Sequence, residues 1–256
     1  MLTVKRTIFS TAAALLACAA TAATAVTAAA DSPGPLRAAG VTGPFGHERL
    51  SDERTVTRFG YPTGRYSIRS GPGKRFRTTD MLRFYTEDNA PENYLVLRSV
   101  IADDDKVWFE IRVPKRPNGS KGWVPRSALR LRTVTTLFEL DKSRQKAKLF
   151  KDGKRIWQSS VGIGAPGTPT PAGDYWVRER LSNLGGNAAY GPWAFGTAAY
   201  SRLSDWPGGG VVGIHGTNAP GLLPGRVSHG CIRVPNWNIL KLKELMPVGT
   251  PIWIHA

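Results

Sequence analysis

Residues 228–233, Ser-His-Gly-Cys-Ile-Arg, place a histidine two positions before a cysteine, and residues 211–217, Val-Val-Gly-Ile-His-Gly-Thr, carry a second histidine. In an extended segment His229 and Cys231 point to the same face, because side chains alternate along a strand. If residues 211–217 form a strand beside that segment, the imidazole of His215 also reaches the thiol, with Cβ atoms roughly 4.5–5.5 Å apart. The sequence therefore predicts one site, built from a thiol and imidazoles, where two strands meet.

A thiol beside an imidazole is the arrangement that nucleophilic thiol catalysis uses. A free thiol titrates near ~8.5, and a neighbouring imidazole stabilises the reactive thiolate. Gly230 leaves room for a substrate carbonyl, and the N–H groups of Gly230 and Cys231 are candidate donors to a developing oxyanion. The residues alone leave open whether His215 or His229 is the base. They also leave open a zinc site formed by both histidines and Cys231, and a buried thiol beside core histidines.

Composition limits the class of protein. The chain has 256 residues, of which 41% are hydrophobic, and its 8 Trp, 9 Phe and 7 Tyr are too many for a disordered chain. Two cysteines exclude a disulfide scaffold. The net charge of +16 divides as +2 in residues 1–30, +7 in 31–132 and +7 in 133–256. Because no basic cluster stands out, we expect no nucleic-acid partner. The diffuse charge favours an anionic cell-wall polymer instead.

Residues 1–30 are typical of a signal peptide. Two basic residues precede a long uncharged stretch, and small residues at 28–30 offer a cleavage site. We therefore expect an exported protein, in the cell envelope or secreted. Residues 15–18, Leu-Leu-Ala-Cys, also resemble a lipoprotein signal, so a lipid on Cys18 is one alternative and a retained membrane anchor is another. Loss of the signal leaves Cys231 as the single thiol.

The remaining chain divides into three parts. Residues 31–54, rich in Gly and Pro, are predicted to be a linker. Residues 55–132 show short strand patterns, clearest at 95–101 and 107–113. Residues 133–256 are predicted to be rich in strands, with one helix at 236–246 that Asn236 caps and a final strand at 251–255. The glycine- and aromatic-rich stretch 182–210 is predicted to be a functional loop.

Two resemblances give these parts a fold. Residues 66–73 (YSIRSGPG) and 122–129 (GWVPRSAL) resemble bacterial SH3-like domains, which implies a small β-barrel over 55–132. Residues 215–217 and 228–233, with 168–173 (TPTPAG) and 248–251 (VGTP), resemble the bacterial L,D-transpeptidase catalytic domain. That resemblance implies a β-sandwich-like fold with one helix over 133–256, so the whole protein is expected to be mostly β.

The second resemblance also implies a reaction and its residues. It makes Cys231 the nucleophile, His215 the general acid/base and His229 a further active-site imidazole. Stretch 182–210 would cover the cleft, where Tyr190, Trp193 and Trp206 are candidates for lining the path of the substrate. The residues expected to contact substrate are Gly216, Ser228, Gly230 and Arg233.

The implied substrate is the tetrapeptide stem of peptidoglycan. Cys231 would form an acyl-enzyme with release of D-Ala, and a second stem would accept the acyl group in a 3→3 crosslink, a step of cell-wall biogenesis that affects cell shape. No cofactor or metal is expected, and the oligomeric state is left open. Two alternatives are an L,D-carboxypeptidase, in which water resolves the acyl-enzyme, and an inactive protein that binds the cell wall through its SH3-like domain.

Overall fold

The first strand of the fold begins inside the predicted linker. The computed structural model describes residues 47–182, 187–205 and 207–256, so the predicted signal peptide, with Cys18, lies outside the described residues. Strand β1 (His47–Arg49) pairs with β5 (Tyr94–Ile101). The last part of the segment predicted to be a linker therefore differs from that prediction, because a sheet takes up its backbone hydrogen bonds.

Within the described residues, the N-terminal sheet has eight strands, all paired antiparallel, in the order β4-β3-β7-β6-β5-β2-β8, with β1 also on β5. Strands β5 and β6 agree with the predicted strands at 95–101 and 107–113. The SH3-like assignment and the boundary at 132/133 stay predictions. Besides β1 and β5, the strands are β2 (Thr57–Pro62), β3 (Ser67–Arg69), β4 (Thr78–Met81), β6 (Val107–Arg112), β7 (Lys121–Pro125) and β8 (Leu129–Val134).

In the part of the chain that the structure describes, the C-terminal sheet has ten strands in the order β11-β10-β9-β18-β13-β14-β15-β17-β12-β16. One α-helix, α1 (Asn236–Leu245), occurs in the described part of the chain, so the prediction of a mostly β fold with one helix is confirmed. The strands are β9 (Thr136–Asp141), β10 (Lys146–Lys151), β11 (Lys154–Ser160), β12 (Gly162–Gly164), β13 (Gly173–Leu181), β14 (Ala194–Tyr200), β15 (Val211–His215), β16 (Gly225–Ser228), β17 (Ile232–Arg233) and β18 (Pro251–His255).

Strand β5 belongs to both hydrophobic cores. Tyr94 and Val96 pack into the core of the N-terminal sheet. Leu95 and Leu97, which point to the opposite face, pack into the core of the C-terminal sheet. The two sheets therefore lie within one compact unit, because a single strand supplies apolar side chains to both.

A buried charge network joins the two sheets as well. Arg178, in β13, and Glu92, in the chain before β5, are both fully buried, and the Nε atom of Arg178 donates to Glu92 Oε1 at 2.9 Å. The Nη2 atom of Arg178 also donates to Glu87 Oε2 at 2.9 Å, and its carbonyl accepts from Asn93 Nδ2 at 2.6 Å. Removal of one partner would leave a buried charge uncompensated, so these contacts hold the two sheets in one arrangement.

The helix α1 packs one face onto the C-terminal core. Ile239 and Leu242 are fully buried there, whereas Trp237 on the other face is 71% exposed. No helix in the described ranges is long and apolar enough to cross a membrane.

A buried carboxyl in β13 gives the first prediction. Glu179 is 2% exposed and accepts a hydrogen bond from the Thr86 hydroxyl, and burial raises its pKa from 4.5 to about 7. Since the folded protein binds this proton more tightly than the unfolded chain does, stability is greatest at low pH and falls as pH rises through about 7. The Glu179→Gln variant should not show this loss of stability, which is at most about 3 kcal/mol. The free energy of unfolding, measured in urea at pH 5 and at pH 8, checks this.

Glu244→Gln is the matched control, because Glu244 is exposed on α1. This variant should keep the pH dependence of the unmodified protein. A Glu179→Gln variant with the same pH dependence as the control would show that Glu179 is ionised without cost.

Candidate active site

Two parallel strands bring the predicted histidine and cysteine together. β15 pairs with β17, with Ile214 opposite Ile232 and His215 opposite Arg233, so the predicted adjacency of the two segments is confirmed. Cys231 lies directly before β17, and its Sγ accepts a hydrogen bond from the Gly213 N–H at 3.3 Å. A Cβ added at Gly213 would lie 3.6 Å from His215 Cδ2 and 3.9 Å from Cys231 Sγ, so the imidazole and the thiol flank the same position on β15.

The imidazole of His215 is buried and fixed in one tautomer. His215 is 3% exposed, and its Nδ1 atom is 2.6 Å from the Gly216 carbonyl oxygen. Because a carbonyl only accepts, Nδ1 carries the proton and Nε2 is the basic nitrogen. Burial and, to a lesser extent, the charge of Arg233 lower the pKa of His215 to about 4, against the opposing effect of the Gly216 carbonyl. The imidazole is therefore neutral at neutral pH.

The thiol of Cys231 is also held neutral. Burial raises its pKa above the ordinary value, while the Gly213 N–H and the charge of Arg233 lower it in part. Residue 231 is nevertheless partly exposed, so solvent reaches this part of the site. A neutral thiol beside a neutral imidazole is suited to general-base catalysis, in which the proton leaves sulfur as the new bond forms.

The turn before Cys231 is closed by its own side chains. The Ser228 hydroxyl donates to the Cys231 carbonyl at 2.6 Å and accepts from the Gly230 N–H at 3.2 Å. The Gly230 N–H, predicted to be an oxyanion donor, is thus engaged within the turn, and its role toward a substrate stays a prediction. Gly230 has φ +123, and an added Cβ would lie 3.2 Å from the Ser201 hydroxyl oxygen. Only glycine fits this conformation without strain.

Thr170 supports the same turn from the adjacent connector, a role that the sequence did not reveal. Its Oγ1 donates to the Gly230 carbonyl at 2.8 Å and accepts from the Gly164 N–H at 2.9 Å. Thr168 adds a hydrogen bond from its hydroxyl to the Ser228 carbonyl at 3.1 Å. The sequence feature that could indicate this role is the Thr-Pro-Thr-Pro motif at 168–171, because each proline restricts the backbone of the connector.

Asn236 serves the site rather than the helix. The helix prediction is confirmed, but the predicted cap is wrong: Pro235 occupies the cap position, with no side-chain cap bond. The Oδ1 atom of Asn236 instead accepts from the Thr217 N–H at 2.8 Å. A Cβ on Gly216 would lie 2.4 Å from the same oxygen. Gly216 is therefore required for close approach, while its carbonyl orients His215.

The other two predicted site residues differ in environment. Arg233 is half-buried beside His215, and its buried Nε has no hydrogen-bond partner within the described part of the chain. His229 is exposed, and its carbonyl accepts from the Ser201 hydroxyl at 2.9 Å. Of the two histidines, only His215 has a buried imidazole.

Stretch 182–210 is not a continuous loop. It contains β14, in which all seven residues are buried, between β13 and β15. Tyr190 does line the site, with its ring edge-to-face on His215 at 4.9 Å. Trp193 packs against the C-terminal core instead, and Trp206 lies outside the described residues.

The zinc alternative finds no support in the geometry. In residues 47–182, 187–205 and 207–256, no group of three or more His, Cys, Asp or Glu side chains is arranged to hold a metal ion. His215, His229 and Cys231 therefore do not form such a group, in keeping with the different environments of the two imidazoles.

Comparison with known proteins agrees with this geometry. Residues 135–254 match the family model of the L,D-transpeptidase catalytic domain, YkuD. The C-terminal half matches that domain. YkuD of Bacillus subtilis is 35% identical over 95 residues, which are 37% of this chain and 51% of that protein. YkuD of Bacillus licheniformis is 33% identical over 107 residues, 42% of this chain and 58% of that one. The chain thus spans little more than half the length of these relatives.

One solved structure is the catalytic domain of the L,D-transpeptidase of Enterococcus faecium. It is 28% identical, and the alignment covers 47% of this chain and 96% of that chain with a TM-score of 0.36. The predicted resemblance of the C-terminal half is confirmed by the family model and the two relatives.

The neutral thiol predicts how Cys231 reacts with iodoacetamide. Because the pKa of the thiol is raised, alkylation should increase only above pH ~8.5, the value of a free thiol. The measurement is the rate of adduct formation on Cys231 against pH, followed by peptide mapping, with free cysteine as the reference. A plateau between about pH 5 and 7 would instead indicate a thiolate–imidazolium pair.

The Thr170 hydroxyl predicts a loss of stability. Thr170→Val removes the hydrogen-bond partner of two buried backbone groups, so the free energy of unfolding in urea should fall by about 1–3 kcal/mol. Thr168→Val is the matched control, since Thr168 is half-buried and makes one bond to the same turn. Equal losses in the two variants would contradict a special role of Thr170.

Proposed function

We propose that the protein is a peptidoglycan L,D-transpeptidase with Cys231 as its nucleophile. The observation that carries the proposal is the pairing of β15 with β17, which sets a partly exposed cysteine beside a buried imidazole of fixed tautomer. Both lie within the residues that match the catalytic domain. The substrate class is the peptide stem of peptidoglycan, and the reaction is acyl transfer.

The first half of the reaction forms a thioester. Sγ of Cys231 attacks the carbonyl carbon between the third stem residue and D-Ala, while the thiol proton passes to Nε2 of His215. His215 then gives that proton to the amine of D-Ala as the C–N bond breaks. D-Ala leaves, and the acyl group stays on sulfur.

The second half transfers the acyl group. The amine of a second stem attacks the thioester carbonyl and gives a proton to Nε2 of His215. As the C–S bond breaks, the proton returns to Sγ, and both side chains regain their resting state. The product is a 3→3 crosslink, and no cofactor enters either half.

Two groups are proposed to stabilise negative charge, one on the substrate and one on the intermediate. Because Ser228 engages the Gly230 N–H, the Cys231 N–H is the donor that remains of the predicted oxyanion pair. The guanidinium of Arg233, with its unpartnered Nε, is proposed to bind a carbonyl or carboxylate of the stem. Gly216 and Ser228 act by holding His215 and Cys231.

The proposal extends to where the protein works. Residues 1–30 are proposed to direct export, or lipidation at Cys18, because peptidoglycan lies outside the cytoplasmic membrane. Residues 55–132, proposed to be SH3-like, and the net charge of +16 suit an anionic cell-wall polymer.

Incubation with a disaccharide-tetrapeptide tests the reaction. Mass spectrometry should detect crosslinked dimer and free D-Ala, and Cys231→Ala should abolish both products. His215→Gln should lower kcat at least about 100-fold, since it removes the general base. His229→Gln, the matched histidine control, should have a much smaller effect because that side chain is exposed.

Each contrary outcome has a definite meaning. Equal losses in the two histidine variants would contradict the assignment of the base. Tripeptide without dimer would identify an L,D-carboxypeptidase. Absence of turnover, together with absence of a carbapenem adduct on Cys231, would leave cell-wall binding as the function.

A further inference from the structure

The loop between β6 and β7, residues 113–120, crosses from the N-terminal sheet to the end of β14. Asn118 pairs with Tyr200 through both of its amide atoms: Nδ2 donates to the Tyr200 carbonyl and Oδ1 accepts from the Tyr200 N–H, each at 2.9 Å. The Tyr200 hydroxyl donates to the Pro114 carbonyl at 2.9 Å. The amide of Asn118 thus satisfies both backbone groups of Tyr200, as a neighbouring strand would.

Arg116 binds the backbone of the segment that follows Tyr200. Its guanidinium donates to three carbonyl oxygens, those of Gly209 at 2.9 Å, Ser201 at 2.9 Å and Leu203 at 3.1 Å. It also lies 4.9 Å from the centre of the Tyr200 ring. Charged donors form the stronger hydrogen bonds, and the planar fork of Arg fixes several acceptors at once. One exposed side chain therefore ties together the two ends of residues 201–209.

Ser201 connects residues 201–209 to the turn at residues 228–231, which ends at Cys231. Its N–H donates to the Gly210 carbonyl at 2.8 Å, and its hydroxyl donates to the His229 carbonyl at 2.9 Å. The same hydroxyl oxygen would lie 3.2 Å from a Cβ on Gly230. Ser201 is 7% exposed, so little space is left for the turn to shift. The position of Cys231 therefore depends on that of Ser201.

We propose that Arg116 and Asn118, on the N-terminal sheet, are positioning residues of the active site, which act through Ser201 on the turn that presents Cys231. The N-terminal sheet then completes the catalytic centre, in addition to any role in wall binding. The inference rests on the proposed role of Cys231 as nucleophile. It adds that the C-terminal half alone does not hold the nucleophile in place.

The test uses the full chain with Arg116→Ala, Asn118→Ala and Ser201→Ala. Each variant should lower kcat about tenfold, because a small displacement of a catalytic group is costly, while KM stays within about twofold of the original. Alkylation of Cys231 by iodoacetamide should become faster at pH 7 and begin at lower pH, because a looser turn exposes the thiol to water. Arg77→Ala is the matched control, since Arg77 is an exposed arginine on the same half of the chain. It should change none of these values.

A double-variant cycle tests the route. If Arg116 acts through Ser201, the effect of Arg116→Ala on kcat should be smaller in the Ser201→Ala background than in the unmodified protein. If the reductions of kcat in the two single variants multiply in full in the double variant, this route is overturned. Arg116→Lys, which keeps the charge but loses the fork, should give an intermediate loss of kcat.

The outcomes separate this inference from the proposed function. Alkylation does not require turnover, so it reports on the position of Cys231 even if the enzyme has another substrate. A folded Arg116→Ala variant, with the unfolding midpoint of the control and unchanged alkylation, would overturn the inference. If that variant is unfolded, Ser201→Ala and Arg116→Lys decide the matter by the same two measurements.

Discussion

The parallel pairing of β15 with β17 is the constraint on which the site depends. Ile214 and Ile232, opposite each other in this ladder, are both fully buried. Because side chains alternate along a strand, a shift of β17 by one residue would turn Ile232 away from the face that Ile214 occupies. The apolar core thus fixes the register. The same register places the side chains of His215 and Cys231 on either side of Gly213, so the packing of two apolar residues determines the geometry of two reactive ones.

Hydroxyl and amide groups from distant parts of the chain then hold the loops that join these strands. Thr170 fixes the carbonyl of Gly230, Ser201 fixes that of His229, and Asn236 fixes the N–H of Thr217. Each of these side chains comes from a different element, and each satisfies a backbone group that no strand pairs. A site held in this way keeps its shape before the substrate binds, which lowers the reorganisation needed in the transition state.

The sequence predicts what is local in this structure. Strands β5, β6 and β18 and the helix α1 follow from patterns within about ten residues, and the reactive pair follows from the spacing of His215 and Cys231. Asn236 illustrates the limit: an Asn before an apolar run predicts a helix cap, yet its amide is used by Thr217, which is distant in sequence.

The aromatic stretch shows a second limit. Glycine and aromatic residues in 182–210 predict a loop by composition, but residues 194–200 form a strand that is buried on both faces. Gly196 admits the side chain of Glu179, since an added Cβ would lie 2.2 Å from Glu179 Oε1. Such a strand is recognisable only when its neighbours in the sheet are known, and the same is true of Thr170 and Ser201.

The neutral state of the Cys231 thiol matters for the proposed reaction, because it protects the sulfur from oxidation. Oxidants attack the thiolate faster than the thiol, so a cysteine that is deprotonated at rest is lost more readily. Burial of Cys231 raises its pKa and keeps the sulfur protonated between turnovers. The cost is that attack on a substrate then requires a base. His215 meets this requirement because burial lowers its own pKa to about 4 and the Gly216 carbonyl keeps Nε2 unprotonated. In the proposed reaction, burial of the same region thus protects the Cys231 thiol at rest and supplies the neutral imidazole of His215 that would activate it.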